Sequence, residues 1–309
     1  MTILALTGGV GGAKLSLGLV HILDPHEVTF VVNVGDDFEH LGLSISPDID
    51  TLTYTLAGIV NQSTGWGREE ESWDCLAELK RFEADTWFQL GDRDLALHLF
   101  RTGLIKSGKS LTEITEIICS RLGIDYKIVP ATDASLRTHV LTDQGSLAFQ
   151  DYFVRLQCKP KVTKLEYHQR IPASVSPAIK IDQISGVVIC PSNPFLSIDP
   201  ILEVDEIRSV LVERAFPVVA VAPIVGDRAI KGPTAKMMRE LGMQVTCAGV
   251  ARHYRDILDG YVIDNTDSHH ASEIEALGMR VRTAPSIMHT LEDKIALAGA
   301  CVDFLDELR

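Results

Sequence analysis

Four glycines and a lysine stand together near the start of the chain, in Gly8-Gly9-Val10-Gly11-Gly12-Ala13-Lys14. Glycine reaches positive φ and lets an anion approach backbone N–H groups with no Cβ in the way. A helix that begins in such a turn aims its unpaired N–H groups and its dipole at one point, which suits a phosphate. Two acidic groups follow: Asn33 with Asp36 and Asp37, then Asp48 and Asp50 within Ser46-Pro47-Asp48-Ile49-Asp50-Thr51. Carboxylates near a phosphate site can hold magnesium or accept a proton from a hydroxyl. Gly91-Asp92-Arg93-Asp94 puts Arg93 in the first turn of an expected helix, against the dipole preference, so Arg93 asks for an anionic partner. Pro191-Ser192-Asn193-Pro194 adds a hydroxyl, an amide and a rigid backbone.

Each stretch also has an ordinary reading. The glycines suit a tight βα turn, Asp36-Asp37 a solvated acidic turn, Ser46 or Asp48 a helix N-cap, and Pro-Ser-Asn-Pro a plain turn. Two familiar phosphate signatures come close without fitting. Lys14 stands where the dinucleotide fingerprint wants a small residue. A Walker A loop would end Gly-Lys-Ser/Thr, whereas Ala13-Lys14-Leu15 lacks the glycine and the hydroxyl.

These residues need a frame. Thr2 to Thr7 is a short apolar run, and Leu15, Leu17, Leu19, Val20 and Ile22 continue past the glycines with helical spacing, so the start reads strand, turn, helix. Val28 to Asn33 is a second apolar strand, and two such strands imply a parallel sheet covered on both faces. Ligands of such sheets sit beyond the carboxyl ends of the strands, where Asn33, Asp36 and Asp37 would share a crevice with the glycine loop. Further strands are expected at 126–130, 138–141, 147–154, 186–190, 217–222, 261–264 and 279–283. The spacing predicts an amphipathic helix over 67–82 with Trp73, Leu76, Leu79 and Phe82 as its apolar stripe, and Trp66 and Trp73 are expected in the core. Ser110-Leu111-Thr112-Glu113 reads as a capping box, and 288–308 as the closing helix. Residues 151–180, with three prolines and little periodicity, read as a small insertion. Ala229-Ile230-Lys231-Gly232-Pro233 is a second, weaker anion-site candidate.

The expected fold class is therefore α/β: a Rossmann-like three-layer α/β/α domain over 1–309, with a mostly parallel sheet and a smaller insertion around 130–180. A net charge of −13 without a basic stripe argues against a nucleic-acid partner. Met1-Thr2-Ile3 enters a strand at once, and no apolar stretch approaches a membrane span. The six cysteines lack a Cys-x-x-Cys spacing, and reduced, mostly buried thiols in a cytoplasmic protein are expected. Adjacent His269-His270 has no metal-site spacing and reads as a polar loop feature. No Ser-His or Cys-His nucleophile is evident in the motifs.

Taken in order, the glycine loop through Leu15, Ser46 to Thr51, Leu90 to Asp94 with Arg101-Thr102, Pro191 to Pro194 with Ser197-Ile198-x-Pro200-Ile201-Leu202, and Pro223 to Gly226 with Gly232-Pro233 resemble the 2-phospho-L-lactate transferase family over the full length. The resemblance implies a magnesium-dependent transfer in the biosynthesis of the deazaflavin coenzyme F(420). The donor would be a guanosine diphosphate ester of a three-carbon acid, usually lactyl or enolpyruvyl. The acceptor would be the ribityl hydroxyl of FO (7,8-didemethyl-8-hydroxy-5-deazariboflavin), and GMP would leave. Asp50 and Arg93 match the family's acceptor contacts. Gly8, Gly9, Gly11, Gly12, Lys14, Asn33, Ser192 and Asn193 match its nucleotide side, and Asp36, Asp48 and Asp50 are the expected magnesium ligands. A dimer is also implied. Two other readings are a glycine-loop nucleotide-sugar-binding regulator, which shares the first strand-turn-helix, and a nicotinamide-dependent oxidoreductase, disfavoured by Lys14.

Overall fold

A computed structural model describes residues 2–169, 171–229 and 232–309. Seven strands form the central sheet: β1 (Thr2–Thr7), β2 (Val28–Val32), β3 (Lys127–Pro130), β7 (Ile184–Ile189), β8 (Val218–Val221), β9 (Gly260–Ile263) and β10 (Arg280–Thr283). Strands β4 (Leu136–Thr142), β5 (Gly145–Ala148) and β6 (Val162–Gln169) lie between β3 and β7 and form a separate antiparallel sheet in the order β5-β4-β6. The main sheet runs β10-β9-β8-β7-β1-β2-β3, with every pairing parallel. This is a Rossmann-like α/β arrangement. Strand β2 is buried at every residue, as apolar runs of a doubly covered sheet require.

Chain order sets the location of the crevice. From β1 the chain runs outward to β2 and β3, then returns to place β7 on the other side of β1, so the order reverses between β1 and β7. Crevices at such switch points open beyond the strands' carboxyl ends. Here those ends carry Thr7-Gly8 and Cys190-Pro191-Ser192.

Helix α1 (Gly9–Leu19) begins directly after Gly8 and buries Leu15 and Leu19 completely, each burial stabilising by about 1.5–3 kcal/mol. Gly18 lets α1 meet the closing helix Leu291–Leu308, because a Cβ there would lie 2.1 Å from the Lys294 carbonyl oxygen. Helix α2 is Pro47–Leu56, α3 Asp74–Arg81, α4 Asp92–Lys106 and α5 Leu111–Arg121. The expected capping box at Ser110 and Glu113 is formed in both directions. All six cysteines are free, four of them buried, and no helix among the described residues is long and apolar enough to cross a membrane.

Several boundaries depart from expectation. The helix expected over 67–82 begins only at Asp74, because the Asp92 carboxylate accepts from Asp74 N and Cys75 N and fixes the first turn there. Trp66 and Trp73 are 58% and 47% exposed rather than core residues; Trp66 sits between two left-handed glycines, Gly65 and Gly67, and Trp73 at the N-cap. Phe82, expected on the apolar stripe, is 80% exposed. The strand expected over 147–154 stops at Ala148, and a helical turn, Asp151–Arg155, takes up the rest. The closing helix starts at Leu291, where Thr290 and Asp293 cap it reciprocally. Ile230 and Lys231, the centre of the second anion-site candidate, lie outside the described residues.

Candidate functional site

Asn33 is the hub of the crevice. It is fully buried at the end of β2, and its Nδ2 donates to Asp36 Oδ1 (3.0 Å), Asp48 Oδ2 (2.9 Å) and the Leu196 carbonyl (3.0 Å). Its Oδ1 accepts from Gly35 N at 2.7 Å, which bends the chain into Asp36-Asp37. One amide thus gathers the acidic turn, the first turn of α2 and the loop after β7.

Asp48 also reaches the glycine loop. Its Oδ1 accepts from Gly9 N at 2.8 Å, so a carboxylate from α2 already caps the N-terminus of α1. Gly8 N donates to Ser192 Oγ at 3.3 Å. Helix geometry leaves the N–H groups of Val10 and Gly11 without intrahelical partners, still available to an anion. The glycines answer to packing as well. A Cβ on Gly8 would lie 2.4 Å from Asp48 Oδ2, one on Gly11 2.3 Å from the Pro191 carbonyl oxygen, and one on Gly12 2.3 Å from Thr7 Oγ1. Gly9 alone of these has φ in the left-handed region, at +63°. Lys14 Nζ donates to the Met288 carbonyl at 2.8 Å.

Across the crevice, Asn193 Oδ1 accepts from Phe195 N and Leu196 N, capping the turn Pro194–Ile198. Its Nδ2 is buried with no partner among the described residues, a donor that a bound oxygen would satisfy.

The carboxylates are crowded. Asp36, Asp37 and Asp48 are all buried. Burial, then the neighbouring charges of Asp48 and Asp37, push Asp36 well above the usual carboxylate range. Burial pushes Asp48 up too, against the hydrogen bonds from Asn33 and Gly9. Asp37 rises to about 7 by burial, although Arg137, Arg101 and the Ser46 hydroxyl oppose it. Arg137 comes from β4, so the antiparallel sheet supplies a cation to this cluster. Asp37 Oδ1 is buried and has no hydrogen-bond partner among the described residues.

Carboxylates crowded together in this way suit a hard divalent cation. No three His, Cys, Asp or Glu side chains among the described residues converge as a closed metal site. Magnesium commonly takes only one or two carboxylates, waters and substrate phosphates, so Asp36 and Asp48 beside the glycine loop fit it.

Asp48 and Asp50 do not act as a pair. Residues two apart on a helix do not face each other, and Asp50 turns to α4 instead. Both its oxygens accept from Arg101: Nη1 to Oδ2 at 3.0 Å, and Nη2 to Oδ1. Arg101 is 1% exposed, the largest fully buried side chain among the described residues. Burial would lower its pKa, but the Asp50 carboxylate outweighs that and raises it.

Arg93 lies apart from this buried network. It is half exposed, and its Nη1 is 3.5 Å from Glu70 Oε2, so the protein itself supplies the expected anionic partner. Glu71 caps α4 through Arg93 N and Asp94 N, while Asp92 caps α3, which ties the two helix starts together. His98 and Arg137 carry no mark as site residues in the sequence, and Arg101 figures there only within the family-like stretch Arg101-Thr102, without a role. Arg101 meets a partner 51 positions away.

Residues 3–287 match the family model described as 2-phospho-L-lactate transferase CofD. A protein named phosphoenolpyruvate transferase from Streptomyces griseus is 36% identical over 317 residues, covering all of both chains. One of the same name from Kitasatospora aureofaciens is 36% identical over 318 residues, covering 100% of this chain and 99% of its own. A crystal structure of a member of the upf0052 family from Bacillus halodurans superposes with a TM-score of 0.63 at 14% identity, over 97% of this chain and 98% of that one, a likeness of fold. With the family model spanning the glycine loop, both acidic clusters and the Pro-Ser-Asn-Pro turn, the chain belongs to the 2-phospho-L-lactate transferase CofD family.

Proposed function

We propose that the protein transfers a phosphoenolpyruvyl group from enolpyruvyl-diphospho-5'-guanosine to the ribityl hydroxyl of FO, releasing GMP, in coenzyme F(420) biosynthesis. The observation that carries this reading is the Asn33 hub, which joins the glycine loop, through Asp48, to the acidic turn at one switch point. The phosphoenolpyruvate transferase names of its full-length relatives support the enolpyruvyl donor over its lactyl and glyceryl counterparts.

In this reading the nucleotide lies over Gly8, Gly9, Gly11 and Gly12, with Lys14, Asn33, Ser192 and Asn193 around its phosphates. Free N–H groups at the start of α1 and the Asn193 amide meet phosphate oxygens. Asp36 and Asp48 would hold magnesium, which neutralises phosphate charge when bound. Asp50 accepts the proton of the FO hydroxyl as its oxygen attacks the phosphorus bearing the enolpyruvyl ester. The P–O bond to GMP breaks as the new one forms, so no covalent enzyme intermediate is needed. Arg93 meets FO at the outer rim.

The proposal includes a homodimer, checked by light scattering. Six free thiols suit a reducing cytoplasm.

Incubation with FO, magnesium and each guanylated donor, with product masses read out, tests the reaction. An FO adduct from the enolpyruvyl donor in preference to the others is expected. Absence of adduct from all three donors would overturn the reading.

A further inference from the structure

Helix α4 is built inside out. Its buried residues are His98, Arg101 and Thr102, whereas Leu99, Phe100 and Ile105 face solvent. An amphipathic helix ordinarily turns its apolar stripe inward. Here the inward stripe is polar and meets a polar face of α2, with Asp94, His98 and Arg101 on one helix and Asp50 and Tyr54 on the other.

Each contact has a determined direction. Arg101 Nη1 also lies 3.1 Å from His98 Nδ1. Arginine can only donate, so His98 Nδ1 accepts and the ring hydrogen sits on Nε2. That nitrogen makes no hydrogen bond among the described residues but lies 3.4 Å from Asp94 Oδ1, an oxygen that accepts from the Tyr54 hydroxyl. The guanidinium is thereby held from behind, while its fork grips both oxygens of Asp50 in front.

We propose that Arg101 is a positioning residue that fixes the plane of the Asp50 carboxylate, with His98 locking the guanidinium; this rests on the reading that Asp50 meets the acceptor hydroxyl. A planar fork constrains a carboxylate in both rotation and distance, which an ammonium cannot do. For stability alone, an apolar pair of similar volume would often serve as well as a buried ion pair. Asp50 stands in the first turn of α2, and its charge and that of Arg101 both act on Asp37 in the acidic turn, so its orientation bears on the crevice.

Arg101→Lys keeps the charge and loses the fork, so kcat is expected to fall about 100-fold, the scale of an ångström of misplacement. GDP affinity should stay within about twofold of the parent, since the nucleotide contacts lie elsewhere, and the FO Michaelis constant should rise by much less than kcat falls. In Arg101→Ala, added guanidinium should restore kcat saturably, and an equal concentration of sodium chloride should not. A crystal structure of Arg101→Lys reads the proposal without turnover: Asp50 swung out of its native rotamer supports it, and Asp50 unmoved overturns it. Parent-like kcat in Arg101→Lys, in a preparation where Asp50→Asn is inactive, overturns it while leaving the reaction intact. Failure of the parent protein and every variant to form an FO adduct would instead refute the reaction, with the crystal structure still deciding on Arg101. Should Arg101→Lys not fold, His98→Leu withdraws the acceptor behind the guanidinium. A fall in kcat of about tenfold or more there, at an unchanged melting temperature, supports the proposal, and unchanged kcat overturns it.

Discussion

Raising the pH should weaken the magnesium-free protein, through the buried carboxyls beside Asn33. Asp37 titrates in the fold at about 7 against 3.8 for the free side chain. At about 1.4 kcal/mol per tenfold change in proton affinity, that rise corresponds to about 4 kcal/mol. The sign follows from proton counts. Between the two pKa values the folded state keeps a proton that the unfolded state has lost, so stability falls as pH rises through that interval and levels off above about 7. Asp36 and Asp48 are raised as well and act in the same direction. Water entering the opened turn reduces the penalty, so about 4 kcal/mol is an upper figure for Asp37. Urea denaturation in chelator should therefore show the midpoint dropping from about pH 5 to about pH 7.5, and magnesium should offset the drop at the upper end. His253, raised by Asp199 against burial, contributes stability that is also lost on raising pH. Asp37→Asn separates the two by removing the carboxyl and its share of the slope, while Asp36 and Asp48 keep the rest. A midpoint that holds steady through this range, or an Asp37→Asn profile as steep as the parent's, would refute the reasoning.

Other outcomes follow from the same contacts. Asp50→Asn should lower turnover by about 100- to 10,000-fold with FO still bound, and should also depress the melting temperature, because Arg101 is left buried without its counter-charge; near-parent turnover at ordinary magnesium would remove Asp50 from the chemistry. Arg93→Ala should chiefly raise the FO Michaelis constant and change stability by no more than about 1 kcal/mol, since its pair with Glu70 is exposed. Gly11→Ala should destabilise by about 1–3 kcal/mol in urea denaturation, because the new methyl meets the Pro191 carbonyl; an unchanged midpoint would show that β7's exit loop yields freely.

The parallel sheet and the glycine turn were legible because buried strands and strand–turn–helix junctions write themselves in local runs. The placing of Asn33 and Asp36 beside the glycine loop was legible, since chain order alone puts strand ends in one crevice, whereas Asp48 joins them from a helix through Asn33. What local pattern hid was pairing. Asp48 and Asp50 look equivalent two positions apart, yet one caps α1 and the other grips Arg101. Trp66 and Trp73 look like core residues by type, but glycine turns and the cap supplied by Asp92 hold them outside. Helix α4 misleads in the same way, for its polar stripe faces inward only because α2 presents partners that lie some fifty residues earlier. Partners distant in sequence leave no local signature: Arg101-Thr102 stood out as a family-like stretch, but nothing local tied Arg101 to Asp50.

The central claim is a transfer, which nucleotide binding alone would not establish. The most direct test follows GMP and the FO adduct together in one reaction of enolpyruvyl-diphospho-5'-guanosine, FO and magnesium. Equimolar appearance of GMP and an FO phosphodiester bearing the enolpyruvyl group is expected. GMP released without adduct would mean hydrolysis, and donor bound without either product would mean a nucleotide-binding protein; both results would contradict the account.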